Sequence, residues 1–204
     1  MGKWEEWKRE FRDHKNSISL AIIFLIVAII LTYFAGIYVD KVNKIAVPDL
    51  ILNNIPTLDL DVIFIYGIII IITVLLAYPL FFKIRELHRV ISHLSLLLMV
   101  RAAFTCFTHL KTPLDAYVFQ PPHLLSFMYF NSDLFFSGHT AIPFLGFLLF
   151  KGHKIRYFFL VASIIMALTV LFMHIHYTID VLSAFFITYG TYKIGERFFR
   201  KIKD

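Results

Sequence analysis

Apolar residues in this chain come in long runs, not in alternation with polar ones. Six runs stand out: Ile18–Val39, Val62–Phe82, Val90–Leu110, Leu134–Phe150, Tyr157–Met173 and Tyr177–Ile194. The last three lie close to the lower limit of about 17 residues for a helix that crosses a bilayer. The runs are rich in phenylalanine on every side, which suits helices enclosed by lipid or by each other. Backbone inside a bilayer must satisfy its own hydrogen bonds, so the runs predict helices. No internal repeat is evident, and no Gly- or Ser-rich linker divides the chain. The expectation is an all-α, polytopic membrane protein with six transmembrane helices. Residues 18–194 would form the membrane domain, residues 1–17 a cytoplasmic interfacial segment, and residues 195–204 a basic cytoplasmic tail.

The first run exceeds the length of a signal-peptide core and lacks a small-x-small cleavage site, so it reads as a retained span. In the preceding WEEWKREFRDHK, helical spacing puts Trp4, Trp7 and Phe11 on one face. That pattern fits a helix lying on the membrane surface. A charged tail without fixed structure is the alternative.

Composition agrees with the membrane reading: 59% of the 204 residues are hydrophobic, and mean hydropathy is +0.74. Soluble domains of this size seldom reach such values. The lone cysteine, Cys106, cannot form an internal disulfide. A net charge of +6 in a soluble protein would suggest nucleic acid as a partner. Here no nucleic-acid partner is expected, because topology explains the charge. Sixteen of the 20 Lys and Arg residues fall in stretches 3–15, 83–89, 151–156 and 193–203. With six spans, all four stretches share one side; the other side holds only Lys41, Lys44 and Lys111. The positive-inside rule then makes both termini cytoplasmic. The segments carrying Ser137–His139 and His174–His176 fall together on the opposite, non-cytoplasmic face.

Those two segments carry the candidate chemistry. His176 and Asp180, in HIHYTIDV, are four residues apart and share a helical face. A carboxylate beside an imidazole fixes its tautomer and raises its basicity, although such a pair can also merely satisfy itself. His139 adds a second imidazole within SGHT. It follows Ser137 and Gly138 where the fourth span begins. Free N–H groups at a helix start bind anions such as phosphate, and glycine lets a ligand approach the backbone. One histidine could act as nucleophile and the other could protonate a leaving oxygen. Arg101, in the outer half of the third span, could face a phosphate with its planar fork. Snorkelling to the outer head groups is the alternative. His139, His174 and His176 include zinc-type donors. No fourth ligand beyond Asp180 is evident, so neither metal nor cofactor is expected. His93 reads as a hydrogen-bonded interior histidine. Pro113, Pro121 and Pro122 preclude a continuous helix in the third outer connection. The following HLLSFMYF reads either as an interfacial segment or as ordinary packing at the head-group boundary.

SDLFFSGHT, followed far downstream by HYTIDV, resembles the two core motifs of the sphingomyelin synthase branch of the type 2 phosphatidic acid phosphatase superfamily. VPD at Val47–Asp49 is similar to a proline–aspartate motif of those synthases. RAAFTCFT, from Arg101 to Thr108, is similar to their arginine-containing third-span motif. The resemblance spans roughly Val47 to Gly190.

It implies a catalytic triad: His176 attacks phosphorus, Asp180 orients His176, and His139 serves as acid and then base. Arg101, Ser137 and Gly138 would steady the phosphate oxygens, with Tyr177 and Asp133 as further substrate-binding positions. The chain departs from the phosphatases of the superfamily. They place an arginine six residues before the nucleophilic histidine, where this chain has Val170, and they carry a lysine and an arginine in a first motif that is missing here. A phosphomonoester needs several cations to offset its desolvation, and a singly charged diester needs fewer. Ser132 stands where the synthases usually have glycine. The expectation is a lipid head-group phosphotransferase or phosphodiesterase. It would cleave a phospholipid through a phosphohistidine and pass the head group to an alcohol lipid or to water. A lipid phosphate phosphatase is the alternative enzyme, and a lipid-binding membrane scaffold the non-enzymatic one.

Overall fold

The computed structural model describes residues 3–118 and 135–201 of the chain. Six α-helices account for almost all of its regular structure: α1 (Lys3–Lys41), α2 (Asp61–Phe82), α3 (Ile84–Phe107), α4 (Gly138–Leu149), α5 (Ile155–Phe172) and α6 (Thr178–Lys201). A short 3-10 turn, Leu52–Asn54, interrupts the α1–α2 connection. The protein is all-α, as the long apolar runs predict.

The amphipathic start and the first apolar run form one unbroken helix of 39 residues, about 58 Å long. Residues 3–17 therefore rise in line with the first span and do not fold away from it. Packing explains why. The Trp7 indole N–H donates to the Leu80 carbonyl at 2.7 Å, and Glu10 pairs with Arg85 at 2.6 Å. Ile18 and Ala21 are buried against Ile84, Leu87 and Ile91. Trp7 and Glu10 of the amphipathic stretch are thus used against α2 and α3, while Trp4 and Phe11 stay exposed. At the far end the Tyr38 ring meets His109, so α1 and α3 run parallel.

α4 lies at the centre. Thr140, Ala141, Ile142, Pro143, Leu145, Gly146 and Leu149 are all buried, and α2, α3, α5 and α6 surround them. Gly146 permits the closest of these contacts: a Cβ there would fall 2.5 Å from the Phe159 ring.

Four helices, α1, α2, α3 and α5, are long and apolar enough to cross a membrane. Their outward faces are apolar too, with Ile23, Ile26, Ile70 and Ile165 among the exposed residues. Apolar surface on this scale requires lipid to cover it, and the chain is an integral membrane protein. α4 has only 12 helical residues, about 18 Å. In the 24-residue α6, Thr188, Thr191, Lys193 and Glu196 dilute the apolar content.

The connections gather at two ends of the bundle. At one end, Leu58 N–H bonds the Phe172 carbonyl, Tyr117 N–H bonds Met173, and Lys111 N–H bonds Ile45. At the other, Arg89 bonds Glu196 and the Leu149 carbonyl, and His153 meets Glu86.

Candidate functional site

The first group of candidate residues sits where α4 begins. Ser137 is fully buried and precedes the first helical turn, but its side chain does not cap that turn. Its Oγ instead accepts a hydrogen bond from Thr140 Oγ1 at 3.3 Å. A helix start lacking a side-chain cap leaves backbone donors for other partners. Arg101 reaches this point from α3. Its Nε–H donates to the Phe136 carbonyl at 2.9 Å, and a Cβ placed on Gly138 would lie 3.3 Å from that same Nε. The guanidinium therefore points into the bundle rather than snorkelling outwards, and Gly138 is the residue that admits it.

The second group sits where α6 begins. Asp180 is fully buried, and its Oδ2 accepts the Tyr177 backbone N–H at 2.9 Å. The same oxygen faces His176 Nδ1 at 3.5 Å. That distance is a close contact, and Nδ1 makes no hydrogen bond among the described residues. Catalytic hydrogen bonds often stay long until substrate arrives. Because Nδ1 faces the carboxylate, Nε2 is the ring nitrogen turned away from it.

The two groups are joined. Ser137 N–H bonds the Asp180 carbonyl at 3.3 Å, which ties the start of α4 to the first turn of α6. His139 lies in α4's first turn, directly after the Gly138 against which Arg101 packs. Its ring stacks on Phe64 of α2, and its buried Nε2 has no partner among the described residues. Two imidazoles, a carboxylate and a guanidinium thus gather at one end of the bundle, from α3, α4 and the turn into α6.

Tyr177, an expected substrate-binding position, has its hydroxyl engaged by two loops. Its hydroxyl donates to the Lys111 carbonyl at 2.8 Å and accepts the Val47 N–H at 3.3 Å. A buried hydroxyl bonded to two loops braces them against the start of α6. Asp133, Ser132, HLLSFMYF and the expected start of the fourth span at Leu134 lie outside the described residues. His93 is an interior residue, bonded through Nδ1 to the Arg89 carbonyl and facing Glu196 at 3.3 Å. His174 turns away from His176 towards Thr57. No group of three or more His, Cys, Asp or Glu residues among those described could hold a metal ion.

Two contributors carry little signal in the sequence. Phe64 is one of 23 phenylalanines, and only its position under His139 distinguishes it. Asp49, picked out above for its motif, holds the start of α6 in place. Its Oδ2 accepts Thr178 N–H at 2.7 Å, and its Oδ1 accepts the Thr178 hydroxyl at 2.8 Å. The N–H groups of Ile51 and Leu52 also reach Oδ1. Burial alone would raise its carboxyl, but these donors outweigh burial and hold it below the usual carboxylate range. Asp49 is thus an N-terminal cap supplied from 129 residues away.

No protein-family model matches the chain, and no curated protein matches it.

Proposed function

We propose that the protein is a membrane-embedded lipid head-group phosphotransferase or phosphodiesterase that works through a phosphohistidine. The observation that carries this reading is the meeting of the start of α4, which bears His139, with Arg101 and with the His176–Asp180 pair at one end of the bundle. Asp180 stabilises the imidazolium that forms as His176 reacts. The lone pair of His176 Nε2 attacks phosphorus. The bond from phosphorus to the diacylglycerol oxygen breaks, and its electron pair leaves on that oxygen. His139 supplies the proton that oxygen takes. An incoming alcohol or water then gives its proton to His139 and attacks phosphorus. The phosphorus–nitrogen bond breaks, and its electrons return to His176. Arg101 and the backbone donors at Gly138 offset the charge on the phosphate oxygens.

One guanidinium suits a diester better than a phosphomonoester. Val170 is apolar and fully buried, so the arginine of the phosphatases has no substitute there.

The reading extends to topology. Six crossings would put the triad on the non-cytoplasmic side and both termini in the cytoplasm. Support comes from the clustering of loops 41–60, 108–118 and 173–177 at the end where lysine and arginine are scarce. α4 is short for a span, but Phe136 and Ser137 before it are fully buried, and non-helical backbone is tolerated at membrane depth when enclosed by protein.

The test is product analysis by mass spectrometry after the purified protein meets labelled phosphatidylcholine, phosphatidylethanolamine and phosphatidate in one mixture. Diacylglycerol should appear from a diester lipid. Dephosphorylation of phosphatidate with the diesters left intact would instead select the phosphatase alternative.

A further inference from the structure

The proposed phosphotransfer leaves the motif Val47–Asp49 without a task, and its contacts point to one. Val47 N–H donates to the Tyr177 hydroxyl at 3.3 Å, 130 residues later. Asp49 accepts the N–H and the hydroxyl of Thr178, at 2.7 and 2.8 Å. Tyr177 and Thr178 are the two residues that follow His176. Two alternate positions of the α1–α2 connection thus grip two consecutive residues of the turn into α6. Pro48, between them, has its φ fixed by its ring, so less chain entropy is lost in holding the grip. Leu52 of the same connection forms a buried cluster with Tyr177.

The turn needs such a grip for two reasons. The His176 ring faces Asp180 at 3.5 Å, but its Nδ1 makes no hydrogen bond among the described residues. The place of the ring is therefore inherited from the backbone of residues 173–177. That backbone is strained, since His174 sits at φ 52, where a side chain meets a steric cost. Strained backbone persists where its surroundings hold it. Asp180 in turn accepts the Tyr177 N–H at 2.9 Å, so a shift of Tyr177 disturbs both members of the His176–Asp180 pair.

The grip also needs a carboxylate. Asp49 Oδ1 takes the Thr178 hydroxyl and the Ile51 and Leu52 N–H groups, while Oδ2 takes Thr178 N–H. All four partners are donors, and an ionised carboxylate offers acceptors on both oxygens. An asparagine in either orientation would set its NH2 group against a donor. We propose that Val47–Asp49 is a positioning element for the nucleophile, holding the turn so that His176 stays against Asp180. Its residues act through the turn and not by contact with substrate. The inference takes from the phosphotransfer reading that His176 is the attacking group. A misplacement of about 1 Å can lower a rate about a hundredfold, so the grip governs kcat more than KM.

Asp49→Asn and Tyr177→Phe, each in the full chain reconstituted in bilayers, test the proposal. Hydrogen exchange followed by mass spectrometry should rise across residues 174–181 and stay unchanged in α2 and α3. His176 is 4% exposed, and its carbethoxylation by diethyl pyrocarbonate should accelerate about tenfold, the scale of one or two lost hydrogen bonds. For diester cleavage, kcat per folded molecule should fall about a hundredfold while KM changes less than about threefold. Thermal unfolding counts the folded molecules. Should Asp49→Asn fail to fold, Tyr177→Phe, which keeps the Asp49 cap, carries the test. Unchanged exchange across residues 174–181 overturns the proposal, and so does faster exchange with kcat unchanged. A raised KM with kcat held would assign these residues to substrate binding and overturns it too. If the parent protein cleaves no lipid, the phosphotransfer reading falls and the two labelling experiments decide the grip. Faster exchange with faster carbethoxylation of His176 then upholds it, and either one unchanged overturns it.

Discussion

Phe64 lies flat against His139, with ring centroids 4.0 Å apart and planes inclined by 15°. Stacking fixes the plane of the imidazole, which suits the proton-transfer role proposed for it. Phe64→Leu removes the flat face and keeps most of the volume. Cleavage of a diester lipid should fall about tenfold, with a stability loss under about 1.5 kcal/mol. Steady-state kinetics beside thermal unfolding provides the check. A purely structural Phe64 would lower the unfolding midpoint and leave turnover per folded molecule unchanged, whereas a positioning residue lowers turnover with the fold intact.

Asp180→Asn separates the carboxylate from its fold role. The amide oxygen can still accept Tyr177 N–H, so the turn into α6 should survive. The charge that faces His176 Nδ1 is lost. Activity should fall by roughly a thousandfold or more, the scale seen when a histidine loses its orienting carboxylate. Turnover measured beside thermal unfolding tests this: an inactive protein with near-normal unfolding is the expected pair of results.

Asp49 gives a stability prediction with a sign in pH. Asp49→Ala removes the acceptor for two groups of Thr178 and for the Ile51 and Leu52 N–H groups. The partly exposed site should lose about 1–3 kcal/mol, and the start of α6 should loosen. The carboxyl is depressed in the folded protein, so its contribution is fully present above the unfolded value of about 3.9 and disappears as pH falls through the folded value. Unfolding followed between pH 3 and pH 7 should show the parent protein converging on Asp49→Ala only at the acid end of that range.

Gly146 tests the packing that carries the site. A methyl group there meets the buried Phe159 ring, which has no free space to retreat into. Gly146→Ala should cost about 1–3 kcal/mol by overpacking, despite the better helix propensity of alanine. Thermal unfolding in detergent would register it as a lowered midpoint.

Much of the bundle was legible because its cause is local. A run of apolar residues predicts a membrane helix wherever it occurs, and α2 begins and ends within one residue of its run. The histidine–aspartate pair was legible because its members are only four residues apart, although His176 lies in the turn before α6 and meets Asp180 across the helix start. What escaped depends on distance in sequence. Nothing around Asp49 tells that it caps a helix 129 residues later. Nor does a free tyrosine at position 177 look different from one braced between Val47 and Lys111. Residues 3–17 continue into the first span as one helix, and the contacts of Trp7 with Leu80 and of Glu10 with Arg85 are likewise distant in sequence.

The central claim is that His176 becomes covalently bonded to phosphorus. The protein should be mixed with head-group-labelled diester lipid, quenched in alkali to preserve a phosphoramidate, digested and sequenced by mass spectrometry. The expected result is a labelled phospho-head group on the peptide carrying His176, lost in His176→Ala. Diacylglycerol release with no adduct on any histidine, or with an adduct on a histidine other than His176, would contradict it.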